Sequence, residues 1–244
     1  VGKDNVSVSV FEKIKRSVDA FPYHVTMAHL PYTVVLPENK EQISQVLKYV
    51  NRERVAVFVR GSGTQLAGSS RPHKPGIMIN TSRMRKYKLF EDYGYIECEP
   101  GLHNREVIDL LAERGWFLPQ LVGSALIASL RGLASNNTSG HVIDAASGKV
   151  GDYIHGVEVV LRTGEIIETG TKGMRRPAGT DLTKYFVGGD GLLGVITKIR
   201  YRLVPLPPLF MEFMDHKVST IAYSVKNMEP PPGPVIFFCW IWRR

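Results

Sequence analysis

Apolar and polar positions along this chain change period several times, and each change predicts an element. YTVVLP (32–37) is a short apolar run closed by Pro37 and reads as a strand. In NKEQISQVLKYVNRE (39–53), Ile43, Val46, Leu47 and Val50 recur at helical spacing. Asn39, with Gln42 three residues on, has the form of a capping box at the start of that helix. VAVFV (55–59) is a continuous apolar run of the buried-strand kind, and GIMIN (76–80) is a further short strand. Together they predict β-α-β followed by a glycine loop.

The second half has a different texture. YGYIECEPG (93–101) reads as a strand ending at Pro100 and Gly101. NREVIDLLAERG (104–115) reads as a helix with Asn104 as N-cap, Val107, Leu110 and Leu111 inward, and Gly115 as its stop. VEVVLRTGEIIETG (157–170) predicts two strands about a turn at Thr163 and Gly164. In GLLGVITKIRYRLVPLPP (191–208), strict alternation places Val195, Thr197, Ile199, Tyr201 and Leu203 on one face and Lys198, Arg200 and Arg202 on the other. Pro205, Pro207 and Pro208 then form a linker. A strand and a helix start follow (211–228), and the residues after the linker (209–244) are too few to close a core of their own. Near the N-terminus, residues 6–20 predict a helical segment with Val8, Val10, Phe11, Ile14 and Val18 as apolar positions.

Length and composition change this picture little. The chain has 244 residues, 43% hydrophobic, with a formal net charge of +8, which suits a globular protein of one large or two smaller domains. The positive balance is spread along the chain and reads as solvated surface plus attraction for an anionic cofactor or substrate. Basic residues are not interleaved with aromatics in a patch, which argues against a nucleic-acid module. The two cysteines make no disulfide framework and favour a reducing compartment. The opening residues show no signal-peptide pattern, and no apolar run is long enough to span a bilayer. The expected location is cytoplasmic, or peripheral to a membrane complex.

Candidate chemistry begins at VFVRGSGTQLAGSS (57–70). The dinucleotide pattern G-x-G-x-x-G fails, because the third glycine falls at Gly68 and the required position holds Leu66. The phosphate loop fails because no lysine follows the glycines. What remains is a basic loop. Arg60 carries a fixed charge, Ser62, Thr64 and Ser69 carry hydroxyls, and Gly61 and Gly63 free their amides for an anion-binding nest. An ordinary tight connection is equally open at this point. A second such region, PQLVGSALIASLRGLASNNTSG (119–140), shifts the balance, and Ser124 there reads as the cap of a helix. Two small-residue polar loops on separate segments can hold the two ends of a long, diphosphate-bridged ligand. Helix capping and close packing by glycine is the alternative.

Taken in order, VRGSGTQLAG (59–68), INTSRM (79–84), CEPG (98–101), the second loop, VEVVLRTGEIIETG and GTDLTKYFVGGDGLLGVIT (179–197) resemble the PCMH-type FAD-binding domain of the vanillyl-alcohol oxidase superfamily. The branch most similar is the glycolate oxidase subunit and D-lactate dehydrogenase group, and the match runs from about 30 to 208. The resemblance implies an α+β, two-lobed FAD-binding domain followed by an incomplete cap domain. The expected divisions are an N-terminal segment (1–24), lobe 1 (25–86), lobe 2 (87–206), and a linker with the start of a truncated cap (207–244). It implies that Arg60, Gly61, Ser62, Gly63, Thr64 and Gln65 wrap the diphosphate of FAD, with Gly68 and Ser69 at the end of the loop. It places Pro119, Gly123, Ser124, Ser129, Gly132, Asn137, Ser139 and Gly140 along the diphosphate, ribityl chain and flavin. Gly101 and Val157 fall near the adenine or its ribose, and Gly148, Asp152 and Ile154 near the flavin or diphosphate.

Two departures stand out. The glycine pair usual in the second loop is Arg131-Gly132 here, and the usual G-S-E-G-T-L-G is Gly188-Gly189-Asp190-Gly191-Leu192-Leu193-Gly194. The first loop has no histidine or cysteine to attach a flavin, and His73 downstream reads as surface, so non-covalent FAD is expected. The implied activity is oxidation of a 2-hydroxy acid, D-lactate or glycolate in type, by hydride transfer to flavin N5. Electrons then pass to a partner, an iron–sulfur subunit or an electron-transfer flavoprotein. A flavin-binding relay or scaffold subunit, and an alcohol oxidase, sugar oxidase or ether-lipid synthase of the same superfamily, are the rival readings. No metal-ligand spacing is present. His141 reads as a loop residue, Arg175 and Arg176 as solvated, and no catalytic residue is assigned.

Overall fold

The computed structural model describes residues 1–20, 26–120, 122–140, 148–172, 179–206, 210–214 and 235–239. His141, Arg175, Arg176, Pro207, Pro208 and the helix start expected within 215–228 lie outside the described residues. The elements in chain order are β1 (Val6–Ser7), α1 (Val10–Ser17), β2 (Thr33–Val35), α2 (Lys40–Arg52), β3 (Val57–Arg60), β4 (Ile77–Asn80), β5 (Tyr87–Phe90) and β6 (Tyr95–Cys98). They continue with α3 (Asn104–Ala112), β7 (Trp116–Phe117), α4 (Leu130–Asn136), β8 (Ile154–Leu161), β9 (Ile166–Glu168), α5 (Thr183–Phe186), β10 (Gly194–Arg202), β11 (Val204–Pro205), β12 (Phe210–Met214) and β13 (Val235–Cys239).

Two sheets carry the fold. The first has the order β1-β2-β4-β3, with β2, β4 and β3 parallel and β1 antiparallel to β2. The second, β5-β6-β10-β8-β9, is antiparallel throughout. Among the described residues there are also two small antiparallel pairs, β7 with β11 and β12 with β13.

Helix α2 is the joint between the sheets. Asn39 caps it, its Oδ1 accepting from the Gln42 amide at 2.9 Å, while the Gln42 side chain reaches back to the amide of Glu38. The reciprocal arrangement satisfies one helix-end donor, the Gln42 amide, and the amide of the residue before the cap. Ile43, Leu47 and Val50 on its inner face pack with Ile79 and Met84 on one side and with Val160 and Val195 of the second sheet on the other. A larger core lies across the opposite face of the second sheet. There Ile96, Ile154, Val157, Ile196, Ile199 and Tyr201 meet Val107 and Leu111 of α3 and Leu130 of α4. Burying each such aliphatic side chain contributes roughly 1.5–3 kcal/mol. Cys98 is fully buried in this core, and desolvation pushes its thiol well up, so it stays protonated and inert.

Four local expectations are corrected. Strand β10 does not alternate strictly: the register with β8 slips between Ile196 and Lys198. This bulge turns Val195 toward the α2 cluster and Ile196, Ile199 and Tyr201 toward the larger core, so Val195 does not share the Ile199 face. Arg200, expected with the polar face, is buried between Glu97 and Glu168, with nitrogen–oxygen distances of 2.8 and 3.0 Å. The N-cap of α3 is His103, with Asn104 its buried first residue and the Glu106 carboxylate accepting from the His103 amide. Finally, the N-terminal helix turns its apolar residues outward. It covers Val10–Ser17 and not 6–20, since Val6 and Ser7 form β1; Val10 and Phe11 are 53% and 70% exposed, while the buried residue of the helix is Ser17 and Arg16 pairs with Glu12.

Candidate functional site

Strand β3 lies at the edge of the first sheet, and its last residue, Arg60, opens the 61–70 loop at the carboxyl end of the parallel strands. Open parallel sheets characteristically bind ligands at this end. Gly63 and Gly68 take φ of +76° and +77°, a conformation that glycine adopts without strain. At Gly61 the reason for glycine is proximity, since a Cβ there would collide with Ser129 Oγ. The first loop is therefore pressed directly against the start of α4.

The second loop is held in place by backbone bonds to the turn between β6 and α3. The amides of Asn104 and Arg105 donate to Ala128 and Ala125, and those of Leu130 and Arg131 donate to Leu102 and Pro100. That turn in turn rests on residues 81–84, where Gly101 donates to the Met84 carbonyl and a side chain at Gly101 would strike Thr81. The result is that Ser129 Oγ sits where it accepts from both Gly132 N (3.4 Å) and Ser62 N (3.3 Å), one hydroxyl serving as helix cap and as loop clasp. Ser129, and not Ser124, is the cap. Ser124 lies in the preceding turn and accepts amides of Ile127 and Ala128 through its carbonyl. A second clasp joins the loops where the carboxamides of Gln65 and Asn136 meet at 3.0 Å, with Ser69 Oγ 2.8 Å from the Gln65 side chain.

Between the loops is a cavity of about 550 Å³. Of the sequence-predicted residues it is lined by Gly61, Ser62, Gly63, Thr64, Gln65, Ser69, Ser124, Ser129 and Gly132. Arg60 is not on its wall. The residue is 6% exposed, and its guanidinium folds under Gly63 and donates to the Ser62 carbonyl at 3.4 Å, bracing the loop from beneath. Desolvation lowers its pKa. Gly68 forms the loop turn, its carbonyl accepting from Arg71. Asn137 is the left-handed C-cap of α4, and its Oδ1 accepts from Gly151 N at 2.9 Å. Ser139 and Gly140 follow, half-buried. Gly148 and Asp152 belong to the turn before β8, where Asp152 accepts from Lys149 N and lies 3.6 Å from Lys184. Pro119 is buried after β7, Gly123 is exposed, and Ile154 and Val157 are core residues of β8.

The sequence reading assigns no site residue to a third segment, which it notes only as a departure from the family pattern. Residues 188–191 lie against the end of α4, with Gly188 N donating to Ala134 and Asp190 N to Ser135. Gly188 and Asp190 join the cavity wall, as do Arg131, Ser135, Asn136 and Thr138. Asp190 has φ +52°, at the position where the loop must turn back. Gly188-Gly189-Asp190-Gly191 was the signal for this segment. Among the described residues, no group of three metal-ligating side chains occurs, and no helix is long and apolar enough to cross a membrane.

Comparison with known proteins bears on this site. A model of the FAD binding domain family matches residues 31–170. The glycolate oxidase subunit GlcD of Bacillus subtilis is 34% identical over 207 residues, covering 84% of this chain and 43% of that protein. A D-lactate dehydrogenase of Archaeoglobus fulgidus is 33% identical over 174 residues, covering 71% of this chain and 39% of that protein. This chain thus spans less than half the length of these relatives. In fold it is similar to a crystal structure of p-cresol methylhydroxylase with substrate bound, with a TM-score of 0.77, 23% identity, and coverage of 93% of this chain and 46% of the other.

Proposed function

Since this chain belongs to the FAD-binding domain family, we propose that it is the cofactor-holding part of an FAD-dependent oxidoreductase acting on a small 2-hydroxy acid of the D-lactate or glycolate type. The observation that carries the reading is the convergence of three polar, glycine-rich segments on one cavity. Residues 61–70, the start of α4 and residues 188–191 are far apart in sequence, and residues of all three line one space.

The residues present fit such a cofactor. Glycine at 61 keeps the first loop close to α4, and buried polar atoms without partners, Arg131 Nε and Ser135 Oγ, belong to residues of the wall. Gly61, Ser62, Gly63 and Thr64 would take the diphosphate through amides and hydroxyls. Ser124, Ser129 and Gly132 would face it from the other side. Arg60 would act through the loop that it braces. When bound, FAD supplies the two-electron acceptor for a hydride leaving the α-carbon of the hydroxy acid. The chain's own residues bind, orient and exclude water from that group. Passage of electrons onward to a partner protein belongs to the same proposal; the relative GlcD is named as a subunit.

The visible spectrum of the purified protein, before and after acid precipitation, tests the reading. A flavin spectrum that leaves with the supernatant is expected, since the first loop carries no histidine or cysteine for attachment. Anaerobic bleaching by D-lactate or glycolate in the full-length protein is the expected second result. Absence of flavin, with none taken up on adding FAD, would sink the cofactor assignment. Flavin that binds without bleaching by any 2-hydroxy acid would sink the substrate assignment.

A further inference from the structure

Two arginines in this protein are equally buried and differently matched. Arg200, 4% exposed, has the carboxylates of Glu97 and Glu168 at 2.8 and 3.0 Å. Arg131 is also 4% exposed, yet among the described residues no carboxylate lies within ion-pair distance of it. Among the described residues the one hydrogen bond of its side chain is a long one, from Nη1 to the Val59 carbonyl at 3.4 Å, and its Nε has no partner there. Burying a guanidinium is costly unless the charge is matched and its donors are used. The same imbalance recurs one turn along α4. Ser135, four residues on, is 3% exposed with an unpartnered Oγ. Positions four apart share a helix face, and both residues line the cavity.

We propose that Arg131 and Ser135 form an anion contact in the cavity wall that takes the diphosphate of the bound cofactor, Arg131 as the charge and Ser135 as a hydroxyl donor. The proposal rests on the FAD reading and adds a side-chain contact at a position where the family resemblance leads one to expect glycine. Charge and hydrogen-bond matching favour an anion over a neutral group. A guanidinium without a carboxylate is completed by a phosphate oxygen, and a charge-assisted bond of this kind is among the stronger contacts available. Desolvation already pulls the Arg131 pKa down to about 10, opposed by the charge of Asp190, and an incoming phosphate would restore it. Gly191 permits the arrangement, since a side chain there would meet Arg131 Nη2.

The test is calorimetric titration of the full chain with FAD, ADP and adenosine, comparing the wild type with Arg131→Met, Arg131→Lys and Ser135→Ala. Arg131→Met should weaken both FAD and ADP about tenfold or more and leave adenosine unchanged. Arg131→Lys should recover part of the loss, and Ser135→Ala should weaken ADP several-fold. In the wild type, inorganic pyrophosphate alone should raise the melting temperature, a measurement that stands even if a variant fails to fold. The proposal is overturned if ADP affinity is unchanged in Arg131→Met, if adenosine weakens as much as ADP, or if pyrophosphate gives no shift. A wild type that takes up FAD with an indifferent Arg131→Met overturns this contact alone. A wild type that binds neither FAD nor ADP overturns the cofactor reading with it.

Discussion

The Nζ of Lys40 lies 2.6 Å from Oε2 of Glu158, a bond between residues 118 apart in sequence that ties α2 to the second sheet. Glu158 is 2% exposed, and its other oxygen accepts from Thr197 Oγ1 at 2.8 Å. The bond to Glu158 raises the Lys40 pKa above its ordinary 10.5, against a smaller opposing effect of burial. A lysine whose folded pKa is raised stabilises the fold fully below pH 10.5 and loses that contribution as pH climbs through the folded value. Lys40→Met leaves Glu158 buried without its cation. Because Lys40 is about one-third exposed and screened by water, the expected cost is about 1–2 kcal/mol. Urea denaturation at neutral pH and again above pH 10.5 checks it, because the difference between wild type and variant should shrink at the alkaline end. A constant difference would show that the loss comes from packing.

Gly61 and Ser129 form a second coupled pair. Gly61→Ala drives a methyl group into Ser129 Oγ, which should force the two loops apart and weaken FAD binding. Ser129→Ala removes the cap of α4 and the clasp on Ser62 N, at a cost of about 1 kcal/mol. The double variant should be less damaged than the sum of the singles, because the colliding oxygen is gone. Thermal melts with and without FAD on all four proteins give the coupling. Strict additivity would mean that the loops do not touch at this point.

Much of this arrangement could be read from the sequence where local chemistry decides. Asn39 with Gln42, the helical spacing of Ile43, Leu47 and Val50, and Gly164 between two apolar runs all led to the observed elements. The glycine loop at 61–70 and the small-residue segment at 119–140 do meet. Their contact rests on Ser129 and not on Ser124, because the backbone bonds of residues 125–131 to the β6–α3 turn choose which serine opens the helix. Such long-range pairing leaves no local signature. The bulge in β10 and the burial of Arg200 were illegible for the same reason, since alternation describes a strand covered on one face and β10 is covered on both. The fate of Arg131 could not be read either, because a basic residue in a polar loop looks solvated until the 188–191 segment is seen beside it.

Phe11 gives a prediction opposite to its sequence pattern. An aromatic residue at a helical apolar position reads as core, yet it is 70% exposed. Phe11→Ser should change the stability of this chain by less than about 0.5 kcal/mol, measured by chemical denaturation. A loss of several kcal/mol, of the kind that follows emptying a core, would show that the residue is buried in solution.

Arg200 should control acid sensitivity. Burial by itself would raise the Glu168 carboxyl, but the hydrogen bond and charge of Arg200 outweigh it and hold the group below its ordinary 4.5. A carboxylate with a depressed folded pKa stabilises the fold above the unfolded value, and that contribution is lost as pH falls through the folded one. The window therefore lies below pH 4.5. Arg200→Met removes the cation from between Glu97 and Glu168, leaving Glu97, which is only 15% exposed, with the more distant Lys198 at 3.9 Å. The variant should be less stable at neutral pH, and the gap to wild type should narrow as pH is lowered through that window, because a protonated Glu168 no longer needs the arginine. Melting temperatures across an acid series decide the matter: parallel curves would mean that Arg200 contributes through its packed stem and not through its charge.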